Sequence, residues 1–245
     1  MSLLNETESV TRRTMTMFFL IDTSGSMEGS KIGAVNDAME NVMPIIRDIS
    51  DNNPDAEIKI AVLDFSSDVK WLYDEPKTAS NFQWRNLTAA GLTSLGDACL
   101  HLNDKLSKSH GFMKSASGSY APTIILMSDG VPTDDFKSGL SVLQQNNWFK
   151  AAVKFAIAVG GEDADTDILA EFTGNREAVL TVHNIESLKK IIKLVSVTSS
   201  QIASKSTSAT DKTKQDQVTE AIKEQTDGMN GVDGVDTSNY ADDWD

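Results

Sequence analysis

The chain has 245 residues, of which 40% are hydrophobic, and a formal net charge of −14 at pH 7. This length accommodates one α/β domain with a tail or two small domains, and the acidic balance disfavours binding to a nucleic-acid backbone. The single cysteine, Cys99, excludes an intrachain disulfide. Residues 1–13 lack the apolar core of a signal peptide, and no run reaches the roughly 18 apolar residues of a membrane helix. We therefore expect a cytoplasmic protein.

The first ordered element predicted from the sequence is a buried strand. An apolar run from Met15 to Ile21 ends at Asp22, as is typical of a strand that is covered on both faces. The turn that follows adds the hydroxyls of Ser24 and Ser26 to the carboxylate of Asp22. Such oxygen donors suit Mg²⁺, Mn²⁺ or Ca²⁺, and they suit Zn²⁺ poorly. The alternative is an ordinary polar turn that caps the next helix.

The next segments alternate between helix and strand. Apolar residues recur at spacings of three and four from Ile32 to Ile49, which predicts an amphipathic helix with a kink or break near Pro44. A strand is predicted over residues 56–65. The short strand at residues 69–73 follows after so few residues that it must be antiparallel and lie at a sheet edge. Residues 74–92 have no clear period and are predicted to form a long surface loop.

The second half of the chain repeats the opening pattern. After a helix at residues 94–107, an apolar strand at residues 123–127 stops at Ser128 and Asp129. Further elements are predicted as helices at residues 136–146, 165–172 and 185–198 and as strands at residues 153–159 and 178–182. This order predicts an α/β fold with a doubly wound, mostly parallel six-stranded sheet, one antiparallel edge strand and helices on both faces.

The carboxyl ends of the strands at residues 15–21 and 123–127 are predicted to form one crevice if these strands are neighbours. Asp22 and Asp129 would then face each other, and Thr93 could join them. The predicted metal ligands are Asp22, Ser24, Ser26, Thr93 and Asp129. Two carboxylates balance the charge of a divalent ion, which can still accept a carboxylate from outside. Such a site binds, but it supplies no general base or nucleophile.

The residues Asp22-Thr23-Ser24-Gly25-Ser26, followed by Thr93 and Asp129, resemble the von Willebrand factor type A domain with its metal-ion-dependent adhesion site, D-x-S-x-S, T and D. The resemblance covers roughly residues 14–200, and we expect the domain to extend over residues 14–202. It implies a Rossmann-like fold and a Mg²⁺ ion (or Mn²⁺ or Ca²⁺) that the hydroxyls and carboxylates hold directly or through water. The segments TIILMSDGVPTDD and GLTSLGDA are similar to bacterial tellurite-resistance (TerY-like) members. That similarity implies a stress-response scaffold whose protein partners present Asp or Glu and are of kinase or phosphatase type.

A phosphotransfer enzyme is the alternative from a different class. It would use Asp22 as an aspartyl-phosphate nucleophile, but the second acid expected two residues later is Ser24 here. A Ser-His-Asp hydrolase would need a histidine in a motif, and none surrounds His101, His110 or His183. We therefore expect a protein without enzymatic activity.

Residues 1–13 are expected to form a loose arm, and residues 203–245 an acidic and disordered tail. The tail holds too few large apolar residues to offset its ordering entropy, although residues 219–225 could be transiently helical. Its carboxylates, with Tyr240 and Trp244 as anchors, could occupy the metal site of the same or a neighbouring molecule. The alternative is a tail that only solubilises the protein.

Overall fold

The computed structural model describes residues 12–114, 118–160, 164–182, 184–204 and 213–229. Within these ranges the strands are β1 (Arg13–Asp22), β2 (Ala56–Phe65), β3 (Val69–Trp71), β4 (Lys77–Thr78), β5 (Thr123–Ser128), β6 (Val153–Val159) and β7 (Val179–Val182). The helices are α1 (Ser30–Asp51), α2 (Leu95–Lys105), α3 (Phe136–Leu143), α4 (Asn147–Ala151), α5 (Thr166–Thr173), α6 (Ile185–Ser204) and α7 (Lys214–Met229). None of the helices in these ranges is long and apolar enough to cross a membrane.

The strands form one sheet in the order β3-β2-β1-β5-β6-β7. Strand β1 is parallel to β2 and β5 on either side, and the parallel pairing continues through β6 to β7. This confirms the predicted fold class. The structure adds a seventh strand, β4, which pairs antiparallel with β2 along the same edge as β3. Because β4 has only two residues, it leaves no period in the sequence.

Strand β1 is buried on both faces, which explains its uninterrupted apolar sequence. Met17 and Phe19 are among the residues that face a core formed with α1, α6 and α7. Phe18 and Leu20 face the opposite core, to which α2, α3, α4 and α5 contribute. Successive side chains of β1 point to opposite faces and therefore pack into both cores. Asp22 is the last residue of this buried strand.

Helix α1 runs without interruption from Ser30 to Asp51, so the break predicted at Pro44 is wrong. Pro44 is exposed, and its missing backbone donor therefore lies on the solvent side of the helix. Val42 and Ile46, on the opposite face, are buried in the core. Burial of each such side chain stabilises by about 1.5–3 kcal/mol, and several of them together offset the cost of about 3 kcal/mol for an internal proline.

Helix α7 lies within the segment for which the sequence predicts disorder, and here the structure differs from that expectation. Val218 and Ile222, four residues apart, are buried in the same core as α1 and α6. Two apolar residues in a polar segment are a weak signal, but they lie on one helical face and are enough to pack α7. Residues 230–245, with Tyr240 and Trp244, lie outside the described residues.

Candidate metal centre

Three loops meet at the carboxyl end of the sheet, and backbone hydrogen bonds join them. The first loop follows β1, and its Gly25 donates a backbone N–H to the carbonyl of Gly91 in the second loop at 3.0 Å. The second loop is joined to the third, which follows β5, because the N–H of Thr133 donates to the carbonyl of Thr93 at 2.9 Å. The segments that carry the five predicted ligands therefore converge at the carboxyl end of the sheet.

Asp22 is fully buried at the end of β1, and both of its carboxylate oxygens accept hydrogen bonds. Its Oδ1 accepts the backbone N–H of Ser24 at 2.8 Å, and its Oδ2 accepts the hydroxyl of Ser128 at 2.6 Å. Burial raises the pKa of the Asp22 carboxyl above its ordinary value, and the carboxylate of Asp129 adds to that rise. The hydrogen bonds from Ser128 and Ser24 oppose it. An ionised Asp22 therefore costs free energy unless a cation compensates it.

Ser128 is a positioning residue that the sequence reasoning did not assign to the site. Its hydroxyl donates to Asp22 and also accepts the backbone N–H of Gly130 at 2.8 Å. Gly130 has a φ of +85°, and a Cβ there would lie 2.5 Å from the carbonyl oxygen of Asp165, so only glycine fits this turn. The signal in the sequence is that Ser128 ends β5, the strand adjacent to β1.

Ser26 lies on a short 3₁₀ turn at Gly25–Met27, and Ser24 comes directly before it. Ser24 is buried and Ser26 is exposed, and their hydroxyl oxygens are 3.0 Å apart. Ser24 precedes the turn but makes no side-chain capping hydrogen bond, and helix α1 begins after Gly29 instead. The geometry therefore gives no support to a helix-capping role for these hydroxyls.

Asp129 lies one residue beyond β5 and is only 5% exposed. Its Oδ1 has no hydrogen-bond partner among the described residues, whereas its Oδ2 is 3.7 Å from the ammonium nitrogen of Lys31. A buried carboxylate oxygen without a partner is costly. A divalent cation bound between Asp129 and Asp22 would satisfy that oxygen, so the residues present fit such an ion.

Thr93 is also buried, and its backbone is held by Thr133. The N–H of Thr93 donates to the Thr133 hydroxyl at 3.1 Å. The loop before it turns at Gly91, which has a φ of +86°, and the N–H of Leu92 donates to the hydroxyl of Ser67 at 3.0 Å. Ser67 and Thr133 thus position Thr93, a role that the sequence pattern did not reveal.

Two acids of the third loop cap helices. Asp134 accepts the backbone N–H groups of Gly96 and Asp97 at 3.0 and 2.9 Å, so it caps α2. Asp135 accepts the N–H of Ser138 at 3.1 Å and caps α3. Because Asp134 belongs to the third loop and caps the helix that follows the second, it fixes these two loops to each other.

The part of the chain that the structure describes contains no cluster of three or more His, Cys, Asp or Glu side chains that could hold a metal. A metal at this edge would therefore depend on the two carboxylates together with hydroxyl oxygens or water. His110 is exposed and pairs with Asp104 at 3.0 Å, and His101 is half-buried and lies 4.0 Å from Asp97. His183 lies outside the described residues.

This mostly parallel sheet with three polar loops at its carboxyl end defines an α/β domain of the Rossmann-like type. The family model for the von Willebrand factor type A domain matches residues 17–194, and the chain belongs to this family. No curated protein matches the chain.

Solved structures show the same fold. Proximal thread matrix protein 1 from the mussel byssus is similar with a TM-score of 0.55 and 21% identity over 79% of this chain and 47% of that one. A form of that protein with a zinc-occupied adhesion-site motif gives a TM-score of 0.54 and 18% identity over 75% and 47%. A von Willebrand factor type A protein from Catenulispora acidiphila gives 0.54 and 18% over 77% and 43%. The chain thus spans less than half the length of each.

Proposed function

We propose that this chain is a divalent-metal-dependent protein-binding module without enzymatic activity. Domains of its family generally mediate metal-dependent interactions between proteins. The proposed ligands, direct or through water, are Asp22, Ser24, Ser26, Thr93 and Asp129. The observation that carries the proposal is the buried Oδ1 of Asp129, which has no partner in the described part of the chain and lies on the loop joined to those of the proposed hydroxyl ligands.

The donor set determines which ion would bind and what it would do. Two carboxylates neutralise a divalent cation, and the hydroxyls of Ser24 and Thr93 add no charge. The bound ion would keep its Lewis acidity and accept a carboxylate from an Asp or Glu of the partner. Hard oxygen donors favour Mg²⁺, with Mn²⁺ and Ca²⁺ as alternatives.

The surface beside the site supports a protein partner. Leu92 and Val131 are 59% and 55% exposed, and they lie next to Thr93 and Gly130. Exposed apolar side chains beside a polar site can contribute apolar contact area to an interaction surface. The partner would place a carboxylate on the metal and apolar groups against Leu92 and Val131. The loops at residues 74–92 and 131–136 would frame this contact.

Calorimetric titration with MgCl₂ and MnCl₂ tests the proposal. We expect one ion per chain in the wild type and at least a tenfold loss of affinity in Ser24→Ala. Thr78 and Ser80 form a second hydroxyl pair, 3.2 Å apart and exposed, beside β2, so Ser80→Ala is the control and should bind normally. A ZnCl₂ titration decides whether the ion differs from the expected magnesium. If the wild type binds none of these ions, the proposal is wrong.

The competing proposal is a phosphotransfer enzyme that uses Asp22. Burial of Asp22 and the use of both its oxygens as acceptors for Ser24 and Ser128 disfavour it as a nucleophile. Mg²⁺-dependent hydrolysis of p-nitrophenyl phosphate by the wild type, lost in Asp22→Asn, would contradict the binding function.

The biological setting rests on the sequence resemblance alone. We propose a cytoplasmic stress-response scaffold, similar to tellurite-resistance systems, whose partner is a kinase- or phosphatase-type protein. Pull-down of proteins from a tellurite-stressed lysate, with and without EDTA, tests this setting. Ser24→Ala serves as the negative control.

A further inference from the structure

Lys31 places a cation beside the candidate metal centre. It is the second residue of α1, its side chain is 18% exposed, and its Nζ lies 3.7 Å from Oδ2 of Asp129. The side chain passes over Gly160 at the end of β6, where a Cβ would lie 2.9 Å from Nζ and 3.0 Å from Cε. The absence of a side chain at Gly160 therefore leaves room for the end of Lys31.

The position of Lys31 on its helix is electrostatically unfavourable by itself. A positive charge in the first turn opposes the helix dipole, and α1 has no acidic residue in that turn to compensate. The positive charge of Lys31 is instead compensated by the carboxylate of Asp129, which follows β5. Lys31 and a divalent cation would therefore interact with the same carboxylate.

We propose that Lys31 is a built-in competitor for the metal, and this inference rests on the proposed function. Asp22, Asp129 and Lys31 together carry a formal charge of −1. Repulsion between the ammonium group and a divalent cation would lower the affinity for the ion. The loaded site would then carry a charge of +1 instead of zero, and it would attract the carboxylate of a partner more strongly. Lys31 thus weakens metal binding and strengthens binding of the partner.

Metal titration of the full chain carrying Lys31→Met tests the first half of the proposal. Methionine retains most of the aliphatic chain and removes the charge, and we expect MgCl₂ to bind about tenfold more tightly. Lys31→Arg should stay within about twofold of the wild type, since it keeps the charge. Lys70→Met is the control because Lys70 pairs with the exposed Asp68 at 3.3 Å and not with a proposed metal ligand.

Acetate binding to the Mg²⁺-saturated protein, followed by NMR, tests the second half. Acetate should bind several-fold more weakly to Lys31→Met than to the wild type. Lys31→Gln repeats both measurements if the methionine variant does not fold. Equal affinities in the wild type and the Lys31 variants would overturn this inference alone. If no chain, including the wild type, binds the ion, the metal site itself is wrong and the inference falls with it.

Discussion

The side-chain amide of Gln215 pairs with both backbone polar groups of Lys154. Its Oε1 accepts the Lys154 N–H at 2.7 Å, and its Nε2 donates to the Lys154 carbonyl at 3.0 Å. Strand β7 pairs with β6 only over residues 156–159, so these groups of Lys154 lie beyond the end of that pairing. The Gln215 side chain thus takes the place of a neighbouring strand as the hydrogen-bond partner of Lys154, and it anchors α7 to β6.

Replacement of Gln215 should destabilise the fold. Gln215→Ala leaves the Lys154 N–H and carbonyl without these partners, and we expect the free energy of unfolding to fall by about 1–3 kcal/mol. Urea unfolding followed by circular dichroism measures it. Gln145→Ala, at an exposed position after α3, is the control and should change stability by less than about 0.5 kcal/mol. An equal effect of both substitutions would contradict the anchoring role.

The buried Asp22 should make stability depend on pH when EDTA is present. Because its pKa is raised in the folded state, the native protein binds more protons than the unfolded one between the ordinary and the raised value. The contribution of Asp22 to the free energy of unfolding therefore falls as pH rises through that window. Asp22→Asn should remove this dependence and stabilise the protein above the window by about 1.4 kcal/mol per unit of the pKa shift.

Thermal unfolding of the wild type and of Asp22→Asn, at a series of pH values in EDTA, measures the difference in stability between the two proteins. It should be small at low pH, grow through the window and then become constant. In saturating MgCl₂ the wild type should instead be the more stable of the two proteins, since only the wild type is then stabilised by the bound ion. A difference that does not change with pH would show that Asp22 titrates normally.

Gly91→Ala should disturb the site through the second loop. Its φ of +86° is strained for alanine, and the new Cβ would lie 2.5 Å from the hydroxyl oxygen of Ser67. We expect a loss of about 1–2 kcal/mol in stability and weaker Mg²⁺ binding, because the Gly91 carbonyl also holds Gly25. Gly33→Ala lies in open space on α1 and should stabilise by about 0.5–1 kcal/mol. Unchanged Mg²⁺ affinity in Gly91→Ala would show that this loop does not position the site.

Removal of residues 230–245 tests whether the acidic segment competes for the metal site. The deletion spares α7, which ends at Met229. If the carboxylates compete, acetate should bind the Mg²⁺-saturated protein more tightly after deletion. The full chain with Tyr240→Ala and Trp244→Ala keeps the charge and separates the contribution of the aromatic anchors. Unchanged acetate affinity would leave the segment a solubilising role only.

The succession of strands and helices could be predicted because its signals are local and strong, whereas the meeting of the loops was predicted only on the condition that two of the strands are neighbours. The apolar run that ends at Asp22 and the similar run that ends at Asp129 each predict a parallel strand, and adjacent parallel strands place their ends at the same edge. The structure confirms that β1 and β5 are neighbours. The ligand role of these residues stays a prediction.

The relationships that the sequence missed depend on distant residues. Lys31 lies near Asp129 only because α1 begins where β5 ends. Gln215 contacts Lys154 across 61 residues of chain. Helix α7 was predicted only as a transient helix at residues 219–225, because the two buried residues that pack it, Val218 and Ile222, are a weak signal. Such contacts follow from tertiary packing, which overrides local composition.

The lengths of the edge strands restrict how another chain can associate with this sheet. On one edge β2 is covered by segments of three and two residues, and on the other edge β7 contributes four residues. A strand of another chain would have little continuous backbone to pair with at either edge of the described sheet. Both β-augmentation and edge-to-edge aggregation are therefore disfavoured. A partner of the proposed kind would therefore have to contact side chains on the loops and not the backbone of an edge strand.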